Sequence, residues 1–314
     1  MTAAPKDMEN APPQRIAVLI PCYNEARTIA KVTKDFAREL PDATIYVFDN
    51  NSTDGSAELA RDAGAVVISE KRQGKGHVVA AMLEKVHADY YVMVDGDDTY
   101  PAERVRELLA PVMGDRADMV VGRRKAVDEK AAYRRFHVFG NWLVCAMINV
   151  IFRSRLQDIM SGYRAFNRMI SRHLPIIAYG FDIETEMTVQ CLYRRWVIQE
   201  VPVEYRERPE GSESKLSTFH DGFRVIFRIL SLFRSYKPLT FFGGLGILFF
   251  VLSGICGMTV MWRHWDTASG YRLALIVGAF ALLAMSLIAA SIGVIVQLIN
   301  FRFWELDSLI RRRD

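Results

Sequence analysis

The chain of 314 residues is poor in cysteine. Its four, Cys22, Cys145, Cys191 and Cys256, share no metal-ligand or redox spacing. That sets aside a cysteine-held zinc site or a dithiol centre, and it fits reduced core or membrane thiols in a reducing compartment. Residues 1–14 lack the apolar core of a signal peptide; polar and rich in proline and alanine, they read as a disordered lead-in. The excess of positive charge is small, +4, so the total gives no reason to expect nucleic acid as a partner. A complete P-loop is also missing. Lys71-Arg72-Gln73-Gly74-Lys75-Gly76 could face phosphates before a helix, but without the full spacing it does not support an NTPase. Beyond the lead-in there is no low-complexity segment, and there is no internal repeat.

What is present is unevenly spread. From Pro238 to Trp262 the chain is apolar without a charge, a polar turn Arg263-His264-Trp265-Asp266 follows, and from Leu273 to Ile299 it is again apolar and uncharged. Each run exceeds the roughly 20 residues a helix needs to cross a bilayer core. Arg224, Arg228, Arg234 and Lys237 precede the first run and Arg302, Arg311, Arg312 and Arg313 follow the second, while only Arg263 and Arg272 lie between. Positive charge stays on the cytoplasmic side, so both termini are expected there, with the hairpin crossing and returning. Trp262, Trp265, Tyr271 and Trp304 fall near the span ends, where amphipathic rings favour the interface.

The expected organisation is a lead-in (1–14), a cytoplasmic domain (15–218), an amphipathic juxtamembrane helix (219–237), a first span (238–262), a short non-cytoplasmic loop (263–272), a second span (273–299) and a basic tail (300–314). In the juxtamembrane segment Phe223, Ile226, Phe227, Leu230 and Phe233 recur at helical spacing among arginines, which suits an anionic membrane surface. A second stretch from Tyr133 to Phe152, with Phe136, Phe139, Trp142, Leu143, Met147 and Ile151, reads either as interfacial or as an ordinary core helix.

The N-terminal part alternates. Strand-type runs at Ile16–Ile20, Thr44–Phe48, Val66–Ser69 and Tyr90–Val94 are separated by helix-type stretches at Ala26–Leu40, Ser56–Ala63 and Val78–Val86. Alternation of this kind predicts an α/β fold, a mostly parallel sheet with helices on both faces. Ligands in such sheets bind at the carboxyl ends of the strands, and that rule selects three polar clusters. Pro21-Cys22-Tyr23-Asn24-Glu25 follows the first strand; Glu25 can accept from sugar or base hydroxyls, although the segment could equally be a helix N-terminus. Asp49-Asn50-Asn51-Ser52-Thr53-Asp54-Gly55 follows the second; Asp54 could be only a cap, and Asp49 is better placed to contact a nucleoside. Asp95-Gly96-Asp97-Asp98-Thr99-Tyr100-Pro101 follows the fourth. Three carboxylates opening a loop after a buried strand are costly unless compensated. Either the loop is solvated or a divalent cation sits there, and hard oxygen ligands favour Mg2+ or Mn2+ completed by phosphate oxygens and water.

The order of these clusters, with Gly74-Lys75-Gly76 between them, resembles family 2 glycosyltransferases of the GT-A (Rossmann-like) fold. Later segments narrow the resemblance: Asp158-Ile159-Met160-Ser161-Gly162-Tyr163-Arg164, then Gly180-Phe181-Asp182-Ile183-Glu184-Thr185-Glu186, then Gly211-Ser212-Glu213-Ser214-Lys215-Leu216. With the C-terminal span pair, the chain is similar to the polyprenyl-phosphate glycosyltransferases of the dolichyl-phosphate mannose synthase type, over about residues 15 to 237. The resemblance implies that Pro21, Tyr23, Glu25 and Asp49 line a nucleoside pocket. It implies that Asp95, Gly96 and Asp97 hold the nucleotide-sugar and that Lys215 closes over its phosphates. Asp95 and Asp97 would carry the metal. Thr99 stands where the family often places a glutamine ligand, and Asp98 is the alternative to it. Arg124, with Arg134 or Arg135, would grip the acceptor phosphate.

The activity implied is inverting transfer of a hexose-type sugar from a UDP- or GDP-linked donor to a polyprenyl phosphate, undecaprenyl or dolichyl. The protein would be integral to a membrane, of the bacterial inner-membrane kind, with lipids as partners and a span footprint small enough to suit a homo-oligomer. A phosphate monoester is already anionic at neutral pH, so no side chain is expected to be essential as a base. Two other readings compete. One keeps the fold and takes a glycan or diacylglycerol-type hydroxyl, for which Asp182 or Glu184 would act as base. The other is a non-catalytic membrane scaffold with a degenerate transferase domain.

Overall fold

A computed structural model describes residues 15–126, 132–176, 183–206, 230–231, 233–262 and 269–311. The chain divides into two units, Met1–Ile226 and Phe227–Asp314.

In the first unit β1 (Ile16–Cys22), α1 (Ile29–Glu39), β2 (Thr44–Asp49), α2 (Ser56–Asp62), β3 (Val66–Ser69), α3 (Lys75–Lys85) and β4 (Tyr90–Met93) alternate as the sequence suggests. A 3-10 turn (Ala102–Arg104) leads into α4 (Val105–Met113). Then come β5 (Met119–Ala126), α5 (Ala132–Phe152), β6 (Arg164–Asn167), α6 (Arg168–His173), α7 (Ile183–Tyr193) and β7 (Ile198–Tyr205). The seven strands form one sheet in the order β3-β2-β1-β4-β6-β5-β7. β1 pairs in parallel with β2 and β4, β2 with β3, and β5 with β7, whereas β6 runs antiparallel between β4 and β5. The expected class, a mostly parallel sheet with helices on both faces, is what the chain adopts.

The central strands are apolar on both sides because both faces are covered. Val18, Ile20 and Val47 face a core with Ile29, Val32 and Phe36 of α1 and Leu108 and Leu109 of α4. Ala17, Leu19 and Phe48 face the other, with Val78, Val79 and Met82 of α3 and Ile183, Met187 and Cys191 of α7. The antiparallel insertion of β6 is pinned by a cross-strand aromatic pair. Tyr91 lies opposite Phe166, and their rings stack with centroids 5.3 Å apart. The helix expected at Val78–Val86 begins earlier, at Lys75, so the glycine- and lysine-bearing segment runs directly into its first turn. Helix α5 buries Val144, Cys145 and Ile148 while Trp142 and Val150 are 60% and 81% exposed, so it joins both readings open for that stretch: one face in the core, the other carrying large apolar groups outward.

The second unit contains α8 (Pro238–Trp262) and α9 (Ser269–Arg311). Both include stretches long and apolar enough to cross a membrane, and only 6% and 11% of their most apolar windows are buried. The helices run antiparallel and meet at small residues. Ser253 Oγ donates to Ala279 O (2.7 Å), and a Cβ added at Gly246 would lie 3.2 Å from Ser286 O. Helix α9 continues past Ile299 through much of the segment expected as a tail, where Arg302 and Glu305 pair one turn apart. Most of the expected juxtamembrane helix lies outside the described residues.

Candidate active site

Because β1, β2 and β4 are parallel, their carboxyl ends lie at one edge, and all three polar clusters emerge there. Each cluster contains one non-glycine residue in the left-handed region: Asn24 (φ 53°), Asn51 (φ 64°) and Asp98 (φ 59°). Asparagine and aspartate tolerate that conformation best, which is why the chain can reverse sharply at each strand exit. The loops are then tied to one another. Asn24 N–H donates to Ser52 Oγ (3.0 Å), Thr53 N–H to Asn24 Oδ1 (2.8 Å), Glu25 N–H to Ser56 Oγ (2.8 Å) and Ala26 N–H to Asp54 Oδ2 (3.0 Å). Asp54 therefore joins the first loop to the second as well as accepting from Ser56 N–H at the start of α2. Thr28 Oγ1 donates to Gly96 O (2.6 Å), joining the first loop to the third. Gly96 is needed for this approach: a Cβ there would come within 3.3 Å of Pro21 O and of the Ile29 side chain. Asn50 donates to Glu70 O and Arg72 O and accepts from Gly74 N–H, fixing the start of α3.

Around the edge so formed, Asp49 is buried, with Oδ1 accepting from Ser52 N–H (3.3 Å). The Tyr23 ring is exposed. The Cys22 thiol is part of the core, pushed up to about 12 chiefly by burial, so the cysteine of this cluster is structural. Asp97 is 2% exposed, and Thr99 Oγ1 donates to its Oδ1 (2.6 Å). Thr99 is itself buried, and its hydroxyl is committed to Asp97. Asp98 is turned the other way, toward Lys31 Nζ (2.7 Å). Asp95 is held from two sides. Lys75 Nζ donates to Oδ1 (2.6 Å), and Gly162 packs so closely on Oδ2 that an added Cβ would stand 2.3 Å away.

A second centre lies on the far half of the sheet. Arg124 grips Asp158 in a fork, Nε to Oδ2 (2.7 Å) and Nη2 to Oδ1 (2.8 Å), while Arg124 N–H donates to Oδ2 as well. Asp158 is positioned in turn by Glu200, whose Oε1 accepts from Gln157 and Asp158 N–H at 2.8 Å. The guanidinium lies over the Tyr205 ring, 5.5 Å from its centroid. Burial alone would push Arg124 down, but Tyr100, Asp158 and Tyr205 around it raise it. Arg206, the residue after Tyr205, donates its N–H to Thr99 O (2.9 Å), so Arg124, the Tyr205–Arg206 segment, Thr99 and Asp97 join the two centres through consecutive contacts. Tyr100 packs on Tyr205 (5.3 Å between centroids), and its hydroxyl accepts from Gly162 N–H (3.0 Å).

The structure thus brings together Pro21, Tyr23, Glu25, Asp49, Asp95, Gly96, Asp97 and Thr99 at one edge and links them to Arg124. Arg134 and Arg135 lie on α5, but their side chains are outside the described residues, as are Asp182 and Lys215. Sequence reasoning missed the partners: Asp158, Glu200, Tyr205 and the bond from Lys75 to Asp95. The signals available were the stretches Asp158–Arg164 and Gly180–Glu186, which place Asp158 and Glu184 in the chain but not against their partners; Glu184, Glu186 and Gln190 of α7 are all buried.

Residues 17–174 match the family model described as glycosyl transferase family 2. The glycosyltransferase AglJ of Haloferax volcanii is 37% identical over 235 residues, covering 74% of this chain and 77% of that protein. A dolichyl-phosphate hexose transferase of the same organism is 30% identical over 207 residues, 66% of this chain and 89% of that one. Among solved structures, glucosyl-3-phosphoglycerate synthase from Mycobacterium tuberculosis, in complex with Mn2+, UDP-glucose and phosphoglyceric acid, shares the fold. Its TM-score is 0.58 at 23% identity, over 70% of this chain and 80% of that one.

Proposed function

Since the chain belongs to glycosyl transferase family 2, we propose that it moves a hexose-type sugar from a UDP- or GDP-linked donor to a polyprenyl phosphate at the cytoplasmic face of a membrane. The observation that carries this reading is the linkage of an acidic loop, Asp95 to Asp98, to a carboxylate-held arginine, Arg124, through the Tyr205–Arg206 segment and Thr99. A donor nucleoside fits the first two loops, with Tyr23 offering a ring and Asp49 and Glu25 accepting from hydroxyls or amines. Arg124, with Arg134 or Arg135, would hold the acceptor phosphate through charge-assisted hydrogen bonds. The likeness to a dolichyl-phosphate hexose transferase supports that acceptor class.

A divalent cation fits the donor set. Asp97 is a buried hard oxygen ligand braced by Thr99. Among the described residues no group of three His, Cys, Asp or Glu side chains could hold a metal alone, which suits an ion that completes its shell with phosphate oxygens and water. Mg2+ or Mn2+ bound there would stabilise the departing diphosphate. Asp95 and Thr99 take positioning roles in this scheme, and Asp98 belongs to Lys31. The acceptor arrives ionised, so the residues act by orientation and charge: Arg124 aims the phosphate oxygen, and direct displacement inverts the anomeric carbon.

The apolar helices α8 and α9 would anchor the chain as a hairpin with both ends cytoplasmic, on the asymmetry of flanking arginines. Trp142 and Val150 on α5 would suit contact with lipid. Purified full-length protein with labelled UDP-glucose or GDP-mannose is expected to glycosylate undecaprenyl phosphate and to spare diacylglycerol. Labelling of diacylglycerol alone would overturn the acceptor assignment.

A further inference from the structure

Helix α7 carries Glu184 in its first turn with the side chain buried. A buried carboxylate is costly without a partner, and Glu184 has one: Lys75 Nζ stands 2.5 Å from its Oε1. The same ammonium reaches Asp95 Oδ1 at 2.6 Å. Lys75 opens α3, Asp95 follows β4 and Glu184 opens α7, so a single cation joins three elements that are distant in sequence. Burial by itself would push the Lys75 ammonium down; the charges of Asp95 and Glu184 outweigh it and hold the group above its ordinary value. On the opposite side of Asp95, Gly162 closes against Oδ2. Asp95 therefore has little rotational freedom, and what fixes it on the Oδ1 side is a lysine that is itself held by Glu184.

We propose that Lys75 is a positioning residue that sets Asp95 for donor binding, and that Glu184 is the anchor of Lys75 rather than the proton acceptor of the transfer. The inference rests on the transferase reading and deepens it. A neutral hydroxyl acceptor needs a carboxylate base beside the donor. With Glu184 Oε1 engaged by an ammonium, this carboxylate serves the fold of the donor site. That agrees with the acceptor of the proposed function, an oxygen already anionic on arrival, such as a phosphate monoester.

A double-mutant cycle tests this on full-length protein in detergent, with UDP-glucose and GDP-mannose binding measured by calorimetry in the presence of Mn2+. Lys75→Met and Glu184→Gln are each expected to weaken donor binding by about tenfold, and the double variant to lose no more than Lys75→Met alone, because the two act as one unit. The double variant removes both charges together, so it leaves no buried unpaired ion and keeps the cycle readable where a single variant folds poorly. Lys75→Arg is expected to recover most of the affinity. In Glu184→Gln the loss should fall on donor affinity and donor KM, with the pH profile of kcat keeping its wild-type shape. Additive losses, or unchanged donor affinity in Lys75→Met, would overturn the positioning role. A collapse of kcat in Glu184→Gln at wild-type donor affinity, with one limb of the pH profile gone, would make Glu184 the base. Failure of the wild type to glycosylate polyprenyl phosphate would overturn the acceptor assignment while leaving the calorimetric cycle intact, so the two failures are distinguishable.

Discussion

The two halves of the sheet build their parts of the site by different means. In the half ordered β3-β2-β1-β4, each functional cluster follows its strand directly, turns on one left-handed Asn or Asp, and bonds to the next loop through short side chains. In the half ordered β6-β5-β7, little is local. Arg124 is set by Asp158, Asp158 by Glu200, and the Arg124 guanidinium by Tyr205, each from a different segment. Arginines show the contrast most sharply. Arg124 is 28% exposed in its side chain and can meet an anion from solution. Arg164, on β6, is fully buried and donates to Ser161 O (2.9 Å), Ile159 O (2.6 Å) and Thr188 Oγ1 (2.8 Å). It fixes the loop whose Gly162 presses on Asp95. In the proposed function the first would serve a ligand, whereas the second serves the fold, and the distinction comes from depth and partners.

Four substitutions and one chemical modification would break or sharpen this comparison. The largest effect is expected from Asp97→Ala, which removes the buried carboxylate of the donor half; transfer should fall at least about a hundredfold while membrane insertion is unchanged, read as product formed per inserted protein. Gly162→Ala comes next, because it carries a defect of the far half into the donor half. The added methyl must displace Asp95, and kcat/KM for the donor should drop by about tenfold or more, with the melting temperature also lowered. Wild-type donor kinetics in that variant would mean that the halves do not communicate through this contact. The arginine pair should then separate cleanly. Arg124→Lys loses the fork and raises KM for the lipid phosphate about tenfold with little change in stability. Arg164→Met costs about 3 kcal/mol of unfolding free energy, measured by denaturant titration, by stranding buried carbonyls. The smallest effect is a uniform one. Burial pushes Cys22 in the donor half and Cys191 on α7 each to about 12, so both thiols should resist iodoacetamide at pH 8 until the protein is unfolded. Rapid native labelling of one alone would show that its half is open to water.

The same contrast explains what could be read in advance. The parallel half was visible because each strand is a short apolar run and each cluster sits beside it in the chain, so adjacency in sequence is adjacency in space. Strands β5, β6 and β7 do not stand out in the sequence. β6 is only Arg164–Asn167 and begins with the buried arginine, and its antiparallel place is set by Tyr91 against Phe166, a pairing between residues far apart in sequence. By resemblance Thr99 stands at the position of a metal ligand, with Asp98 as the alternative. A positive φ at Asp98 sends it toward Lys31, while Thr99 turns under Asp97, and neither outcome is written in the residue types. Glu184 stood out only as a base for a hydroxyl, since its ion pair depends on where α3 and α7 pack.

By itself the sequence determined the alternation of strands and helices, the acidic loop after β4, and two helices long and apolar enough to cross a membrane, because periodicity and hydrophobic length are properties of contiguous residues. Only the tertiary structure decided which carboxylate is braced, which is paired with lysine and which arginine is left within reach of solvent. Those outcomes depend on burial and on charge partners brought together across the sheet, and the energy of a buried charge is set by its neighbours in space.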